Sequence, residues 1–220
     1  GGIAGSIELL RSSDGLTEED RRLCEIVQRE TERLNDLVGD MLDLSRAREP
    51  QTEQVDSARL AQDVAALATQ SGRGTDVSVR YEGASSLHVL ADASQLRQVL
   101  WNLVRNAVQA SPAGAEVVVR VGPQKNGTST IEVADRGPGI SPEARSTIFD
   151  AFFTTRTQGT GLGLAVVRRI VDAHGWSIDV TGTEGATFRI TIPKRAHPSS
   201  GSRDRLESAP EQLLGIVMRK

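Results

Sequence analysis

The change of pattern at Pro50 constrains the fold of this 220-residue chain more than any other feature. From Thr17 to about Ala47 the apolar residues recur at alternating spacings of four and three, which indicates a helix with a coiled-coil seam. The seam consists of Leu23, Val27, Leu34, Leu37, Met41 and Leu44, with Glu30 interrupting it. Pro50 ends this helix, because proline disfavours helical geometry in the residue before it. Residues 1–13 carry an apolar face of their own, so we predict that 1–49 form a helical hairpin that dimerises into a bundle. The alternative is a long helix packed on its own globular domain.

The rest of the chain alternates between strand and helix patterns. Strands are predicted at 77–81, 87–90, 117–121, 131–134, 177–180 and 188–192, and helices at 57–69, 93–110, 142–149 and 162–174. Turn-length connections within two strand pairs indicate antiparallel hairpins. Residues 50–193 are therefore predicted to form an α+β sandwich domain with a mixed, largely antiparallel sheet. Residues 194–220, which begin with a stretch rich in Ser, Arg, Pro and Lys, are predicted to be a largely disordered tail.

The composition argues against several classes of protein. Lys and Arg number 26 against 29 Asp and Glu, and this net charge of −3 argues against nucleic-acid binding. The single cysteine, Cys24, rules out an internal disulfide framework and fits a reducing compartment. No apolar run approaches the roughly 20 residues needed to cross a bilayer. We therefore expect a cytoplasmic segment without membrane contact, whether the full-length protein is soluble or membrane-anchored.

Two asparagines lie one turn apart on the helix predicted at 93–110. Asn102 and Asn106 border its apolar stripe, although asparagine is a mediocre helix former. Their amide oxygens suit a hard cation such as Mg²⁺, which keeps waters and shares its remaining positions with phosphates. The alternative is a polar flank that hydrogen-bonds to neighbouring backbone.

Two glycine clusters and a phenylalanine-rich segment follow. The run Asp135-Arg136-Gly137-Pro138-Gly139-Ile140 joins a carboxylate, which can accept from the amine of adenine, to glycines that let backbone approach a flat ring. The run Gly159-Thr160-Gly161-Leu162-Gly163-Leu164 opens a predicted helix, where backbone N–H groups bind anions. Between them, Phe149-Asp150-Ala151-Phe152-Phe153-Thr154-Thr155-Arg156 combines an apolar anchor, hydroxyls and a cation. We interpret this segment as a lid over a triphosphate, with Phe152 and Phe153 as its anchor and Arg156 meeting the terminal phosphate.

In this order and spacing, the clusters resemble the ATP-binding boxes of the sensor histidine kinases. The same superfamily includes DNA gyrase, the large heat-shock chaperone ATPase and the mismatch-repair ATPases. The run Gly182-Thr183-Glu184-Gly185-Ala186-Thr187-Phe188 resembles a further glycine turn of these kinases. The likeness covers residues 1–193. The lid segment and the second glycine cluster look most like the nitrogen-regulation type, which partners enhancer-dependent response regulators.

The resemblance implies a transferase of two-component signal transduction. Such a phosphoprotein binds ATP with Mg²⁺ and transfers the γ-phosphoryl group to a histidine, then to an aspartate of a response-regulator receiver domain. It implies Asn106 as the Mg²⁺ ligand, with Asn102 and Arg156 as catalytic residues. Hydrolysing relatives carry a Glu at the position of Asn102, which is a poor general base, so transfer is favoured over hydrolysis. The implied ATP contacts are Asn102, Asn106, Asp135, Gly137, Gly139, Ile140, Phe152, Thr154, Thr155, Arg156, Gly159, Thr160, Gly161, Leu162, Gly163, Leu164 and Thr187.

The phosphoacceptor is the main departure from the family pattern. The family's acceptor box resembles His-Glu-x-Arg-Asn-Pro-Leu, and residues 1–10 resemble the sequence that directly follows it, so we expect no acceptor among this chain's histidines. His88 is expected to be a packing residue of a strand, and His197 lies in the predicted tail. His174 is expected to cap a helix C-terminus, where an imidazolium is favourable.

A non-catalytic ATP-sensing dimerisation module remains the alternative function. A serine-directed kinase of the superfamily is disfavoured by the helices of 1–47, through which we predict a homodimer.

Overall fold

The computed structural model describes Gly5 and residues 16–45, 49–71, 76–124, 126–154 and 159–194. The elements in chain order are helix α1 (Glu18–Ser45), strand β1 (Glu53–Asp56), helix α2 (Ser57–Ser71), strands β2 (Ser78–Gly83) and β3 (His88–Ala91), helix α3 (Ala93–Ala110), strands β4 (Glu116–Pro123) and β5 (Ser129–Ala134), a 3-10 turn (Ala144–Ser146), helix α4 (Gly163–Ala173), and strands β6 (Ser177–Thr181) and β7 (Thr187–Ile192). The predicted helix of 1–13, apart from Gly5, and the predicted tail after Lys194 lie outside the described residues.

Five strands form one sheet in the order β2-β4-β5-β7-β6. Strands β2 and β4 are parallel and the other neighbours are antiparallel. Strands β1 and β3 form a separate two-stranded antiparallel sheet. Leu96, Leu100 and Leu103 of α3 are fully buried in one hydrophobic core with strand residues such as Val119 and Ile190. The prediction of an α+β fold with a mixed, largely antiparallel sheet is confirmed.

Two local predictions differ from the structure. Strand β1 was not predicted, because Val55 is the one buried residue among its four and so no alternation is visible. The helix predicted over 142–149 is wrong: this segment is the 3-10 turn followed by isolated turns. Phe149 packs edge-on against the ring of Phe188, with the ring centroids 6.3 Å apart. This tertiary contact joins residues far apart in the chain and is invisible to a local helix pattern.

Helix α1 leaves its apolar face largely uncovered. It begins at a capping box, in which Thr17 Oγ1 accepts from the Asp20 N–H at 3.1 Å and the Asp20 carboxylate accepts from the Thr17 N–H at 2.9 Å. The hydrogen bond from the Thr17 hydroxyl to this carboxylate lowers the pKa of Asp20. Although α1 contacts α4, seven of its large apolar side chains remain 45% to 61% exposed: Leu23, Ile26, Val27, Leu34, Val38, Met41 and Leu42. Packing on its own domain therefore does not cover this face.

No helix in the described ranges is long and apolar enough to cross a membrane.

Asp92 and His174 join the start of α3 to the end of α4. Asp92 Oδ1 caps α3 by accepting from the N–H of Ser94 at 3.0 Å. His174 Nε2 accepts from the N–H of Asp92 at 3.1 Å, and its Nδ1 donates to the carbonyl of Ile170 at 2.8 Å. One nitrogen accepts and the other donates, so the ring is neutral, and it is buried. His174 does cap the C-terminus of α4, as expected, but as a neutral ring, so the expected imidazolium is wrong. The pair joins the start of α3 directly to the end of α4.

Candidate active site

A cavity of about 900 Å³ opens between α3, the loop after β5, the turns before residue 154 and the start of α4. Most of the predicted ATP contacts line it: Asn106, Asp135, Gly139, Ile140, Thr154, Gly159, Thr160, Gly161, Gly163 and Leu164. Asn102, Gly137, Phe152, Leu162 and Thr187 are described but are not among the lining residues. Thr155 and Arg156 lie outside the described residues. We call this cavity the cleft.

The strand end of the cleft, defined as Asp135, Gly139, Ile140 and Ala186, is set by the register of β5 against β7. Asp135 directly follows β5, and its backbone N–H donates to the carbonyl of Ala186 at 2.9 Å. Its Oδ1 accepts from the N–H groups of Gly137 and Ala186, both at 2.9 Å. The side chain is buried, and Oδ2 has no partner among the described residues. The carboxylate is therefore held by one oxygen and can accept from a ligand with the other.

Glycine is required by the protein's own backbone at Gly139 of the strand end and at Gly137 behind it. Gly139 has φ +74°, and a Cβ there would lie 2.5 Å from the carbonyl carbon of Thr183. At Gly137 a Cβ would lie 2.7 Å from the carbonyl oxygen of Ala110. The Gly137 carbonyl accepts from the N–H of Gly185 at 2.8 Å, which ties the two loops together. Any side chain at either position would force backbone to move.

The helix end of the cleft, defined as Asn106 with residues 159–164, joins one face of α3 to the first turn of α4. Gly163 is the first residue of α4. The first N–H groups of a helix have no partner within the helix and attract anions. A Cβ at Gly163 would lie 3.8 Å from Arg105 Nη2 and 3.9 Å from Asn102 Oδ1. Asn102 is buried, so its amide lies behind the cleft wall, next to this helix start.

The two phenylalanines of the predicted lid anchor separate in the structure. Phe153 lines the cleft, whereas Phe152 has φ +67° and is 66% exposed. The Phe152 N–H donates to the carbonyl of Gly161 at 2.9 Å. A Cβ at Gly161, where φ is +69°, would lie 2.6 Å from the carbonyl carbon of Phe152. The segment is thus joined to the second glycine cluster through backbone, with Phe153 as the ring that contacts the cavity.

Five polar residues of the cleft are not among the predicted contacts, one of them being Ser141 in the loop after β5. Arg105 and Gln109 of α3 line it, as do Arg29 and Glu30 of α1. Arg105 and Gln109 follow Asn102 by three and seven residues, so helical periodicity was the signal that could have found them. Arg29 and Glu30 form an ion pair with 3.6 Å between nitrogen and oxygen, and both side chains are about half exposed. No local signal predicts them, because their position depends on the contact between α1 and α4.

The cleft offers amide and backbone groups in place of a carboxylate-rich metal centre. Within the described ranges, no group of three or more His, Cys, Asp or Glu side chains could hold a metal ion. The described histidines, His88 and His174, do not line the cleft. His88 is exposed on β3, contrary to the packing role expected for it. Any divalent cation in the cleft would take most of its ligands from a bound molecule and water.

Two family profiles match the chain. The family described as histidine kinase-, DNA gyrase B- and HSP90-like ATPase matches residues 91–196, which include every lining residue of the cleft except those of α1. The His Kinase A (phospho-acceptor) domain matches residues 1–50. The fold and the cleft are those of this ATPase class, preceded by a histidine-kinase helical domain.

Known kinases match both parts together. Sensor histidine kinase ZraS of Escherichia coli (strain K12) is 35% identical over 179 residues, which are 80% of this chain and 38% of ZraS. The structure of full-length ShkA in complex with AMPPNP is 34% identical over 90% of this chain and 44% of that chain, with a TM-score of 0.69. The catalytic domain of histidine kinase ThkA is 33% identical over 66% of this chain and 96% of that chain, with a TM-score of 0.60. ThkA in complex with the response regulator protein TrrA is 28% identical over 88% of this chain and 57% of that chain, with a TM-score of 0.70. The chain spans 38% of the length of ZraS. It belongs to the sensor histidine kinases of two-component systems.

Proposed function

We propose that this chain is the transmitter part of its sensor kinase. It binds Mg²⁺–ATP in the cleft and transfers the γ-phosphoryl group to a histidine of a phosphoacceptor domain, from which the group passes to an aspartate of a response-regulator receiver domain. One observation carries the proposal: a single cavity of about 900 Å³ has a fixed carboxylate at one end and an amide beside a glycine-rich helix start at the other. The match of the region to histidine-kinase-like ATPases supports it.

The strand end is proposed to bind adenine. Asp135 Oδ2 would accept a hydrogen bond from the exocyclic amine, while Oδ1 stays bonded to the protein. Gly139 and Ile140 would form the floor under the ring, with Gly137 and Thr187 shaping the turns behind it. Guanine carries a carbonyl oxygen where adenine carries its amine, and a carboxylate repels that oxygen. The site should therefore prefer ATP to GTP.

The helix end is proposed to bind the phosphate chain with Mg²⁺. Asn106 supplies an amide oxygen, and the ion would take its other ligands from phosphate oxygens and water, as Mg²⁺ commonly does. Backbone N–H groups of Gly161 and Gly163 would bind the phosphates, flanked by the other residues of the cluster: Gly159, Thr160, Leu162 and Leu164. The donor set fits an ion that arrives with its nucleotide.

Phosphoryl transfer at this site would rest on positioning and charge neutralisation. An imidazole nitrogen would attack the γ-phosphorus, the bond to the oxygen bridging the β and γ phosphates would break, and ADP would leave. Asn102 has no basic group with which to activate water, which favours transfer over hydrolysis. Arg156, Thr154, Thr155 and Phe152 are proposed to lie in the lid segment, with Arg156 near the γ-phosphate.

We further propose three regions: a dimerisation and phosphotransfer hairpin (1–49), an ATP-binding domain (50–193) and a tail (194–220). The uncovered apolar face of α1 supports a homodimer through residues 1–47, since such a face needs a partner helix. The complex of ThkA with TrrA supports a response regulator as partner.

His174 is unsuited as acceptor because both ring nitrogens are hydrogen-bonded within the domain. In the full-length kinase incubated with γ-labelled ATP, acid-labile label should appear on a histidine outside this domain. Label on His88 or His174 would contradict the assignment.

Nucleotide binding is tested by calorimetric titration of the chain with Mg²⁺–ATP and Mg²⁺–GTP. Asn106→Asp should abolish ATP binding, because a carboxylate alters the ion's ligand and adds charge beside the phosphates. Asp135→Asn should weaken ATP binding by about tenfold to a hundredfold. Its Oδ1 can still accept from the two backbone N–H groups, while the new NH₂ group opposes the adenine amine. The ratio of ATP to GTP affinity should fall, because the new NH₂ group disfavours the adenine amine and can donate to the carbonyl oxygen of guanine.

The matched control is Asp179→Asn, which makes the same change on the exposed side of β6 and should bind like the wild type. Thermal unfolding of all variants shows whether each keeps the fold. Wild-type affinity for ATP in Asn106→Asp or Asp135→Asn would contradict the assignment of the cleft.

A further inference from the structure

Gly163 lies where the protein itself does not require glycine. It is a helical residue without positive φ, and among the described residues the side-chain atoms nearest to the position that a Cβ would take are at ordinary contact distances of 3.8 to 3.9 Å. Gly161, two residues earlier, differs on both counts, since φ is +69° and a Cβ would lie 2.6 Å from backbone. Glycine is among the poorest helix formers. Since no described residue fills the space beside the first turn of α4, we attribute the glycine at Gly163 to a ligand in that space.

Arg105 and Asn102 border that space. Arg105 Nη2 lies 3.8 Å, and Asn102 Oδ1 3.9 Å, from the position that a Cβ of Gly163 would take. Arg105 also lines the cleft. Among the lining residues of the ATP-binding domain that the structure describes, it is the only cationic side chain. A cation next to an open helix N-terminus creates an environment that attracts anions from two directions.

We propose that Arg105 is a phosphate-binding residue of this site, with its guanidinium contacting the phosphate chain of ATP over the first turn of α4. The inference rests on the proposed function, because it takes ATP as the ligand. Arg105 directly precedes Asn106, so the cation and the proposed Mg²⁺ ligand approach the same phosphates from adjacent positions of one helix. The planar guanidinium can donate two parallel hydrogen bonds to a phosphate, which a lysine ammonium cannot do in the same geometry.

The position of Arg105 on α3 makes this contact a fixed feature of the domain. Its neighbours Leu103, Val104 and Ala107 are buried in the core, which anchors the part of α3 that carries the guanidinium. The junction of Asp92 with His174 holds α3 against α4. Arg105 should therefore contribute to the affinity for phosphorylated ligands and leave the affinity for the base alone unchanged.

The test compares Mg²⁺–ATP with adenosine in calorimetric titrations of the 220-residue chain. Arg105→Gln should lower ATP affinity by about tenfold or more, because a charge-assisted hydrogen bond is lost, and should leave adenosine affinity unchanged. Arg105→Lys keeps the charge without the fork and should fall between wild type and Arg105→Gln. The matched control is Arg97→Gln, which removes an exposed arginine from the same helix and should bind both ligands like the wild type.

Two results would overturn the inference. Unchanged ATP affinity in Arg105→Gln would show that the guanidinium does not contact phosphate. An equal loss of ATP and adenosine affinity would show that Arg105 only supports the structure of the cleft. Both results presuppose a wild-type chain that binds ATP. A wild-type chain that binds neither ligand would instead overturn the proposed function, and this inference with it.

Discussion

The two ends of the cleft differ in how closely protein atoms surround their glycines. At the strand end, a Cβ at Gly139 would lie 2.5 Å from the backbone of Thr183, and Asp135 Oδ1 already accepts two backbone hydrogen bonds. At the helix end, the nearest atom of a described neighbouring residue to a Cβ at Gly163 is Arg105 Nη2, 3.8 Å away. The glycine at the strand end is enclosed by the protein's own backbone, whereas the glycine at the helix end has open space beside polar groups.

The comparison distinguishes a glycine that the fold requires from a glycine that leaves space for a ligand. Gly139 is needed to complete the fold, since its φ and its surroundings exclude a side chain. Gly163 has neither constraint, so we attribute it to the ligand. If the comparison is right, substitution of Gly139 at the strand end should lower stability before it lowers affinity. Substitution of Gly163 at the helix end should lower affinity while stability is kept.

The largest effect is expected for Gly139→Ala. A positive φ and a collision with backbone should together lower the free energy of unfolding by about 3 kcal/mol, measured by urea denaturation. Gly114→Ala is the matched control, because Gly114 has φ +80° but no atom of a described residue within 4 Å of the place where its Cβ would lie. It should lose about 1 to 2 kcal/mol from the backbone conformation alone. Equal losses in the two variants would mean that the close contact at the strand end adds nothing.

A smaller and opposite pattern is expected for Gly163→Ala. The free protein should be as stable as the wild type or up to about 1 kcal/mol more stable, because alanine is a better helix former. Its ATP affinity should fall by about tenfold, since the methyl group enters the space assigned to phosphate. Urea denaturation and calorimetric titration measure the two quantities on the same preparation. A variant that binds ATP like the wild type would remove the distinction between the two ends.

The smallest effect concerns Asp56, which lies outside both ends. Its carboxylate accepts from the Leu87 N–H at 3.1 Å and from the Ser86 hydroxyl at 2.8 Å. These bonds, the Leu87 N–H first, lower the pKa of Asp56 from 3.8 to about 2. Because the folded-state pKa is the lower one, the stabilisation is present above the unfolded-state value and is lost as the pH falls through about 2.

The amide chemical shift of Leu87, followed by NMR as the pH is lowered, should report this titration with a midpoint near 2. The shift should be absent in Asp56→Asn. A midpoint at the ordinary value of 3.8 would contradict the role of these hydrogen bonds.

Much of the fold could be predicted because its signals are local. Helix α3 was predicted at 93–110 and is observed at Ala93–Ala110, where Asp92 caps a continuous apolar stripe. Strand β1 and the segment 142–149 were missed or misassigned, since contacts with distant residues decide their structure. The asparagine and glycine clusters and the lid segment supplied the ten predicted contacts that line the cleft. Arg105 was overlooked although helical spacing from Asn102 places it on the same face.

The sequence by itself determined the family, the helix with its apolar seam and the residue types of the cleft, because periodicity and glycine turns depend on neighbours along the chain. Only the tertiary structure decided which glycines serve the fold and which leave room for a ligand. The atoms that exclude a side chain at Gly139 belong to Thr183, and those that border Gly163 belong to Asn102 and Arg105. These partners are tens of residues away in sequence. The register of the sheet and the packing of α3 on α4 bring them together, so no local pattern contains that information.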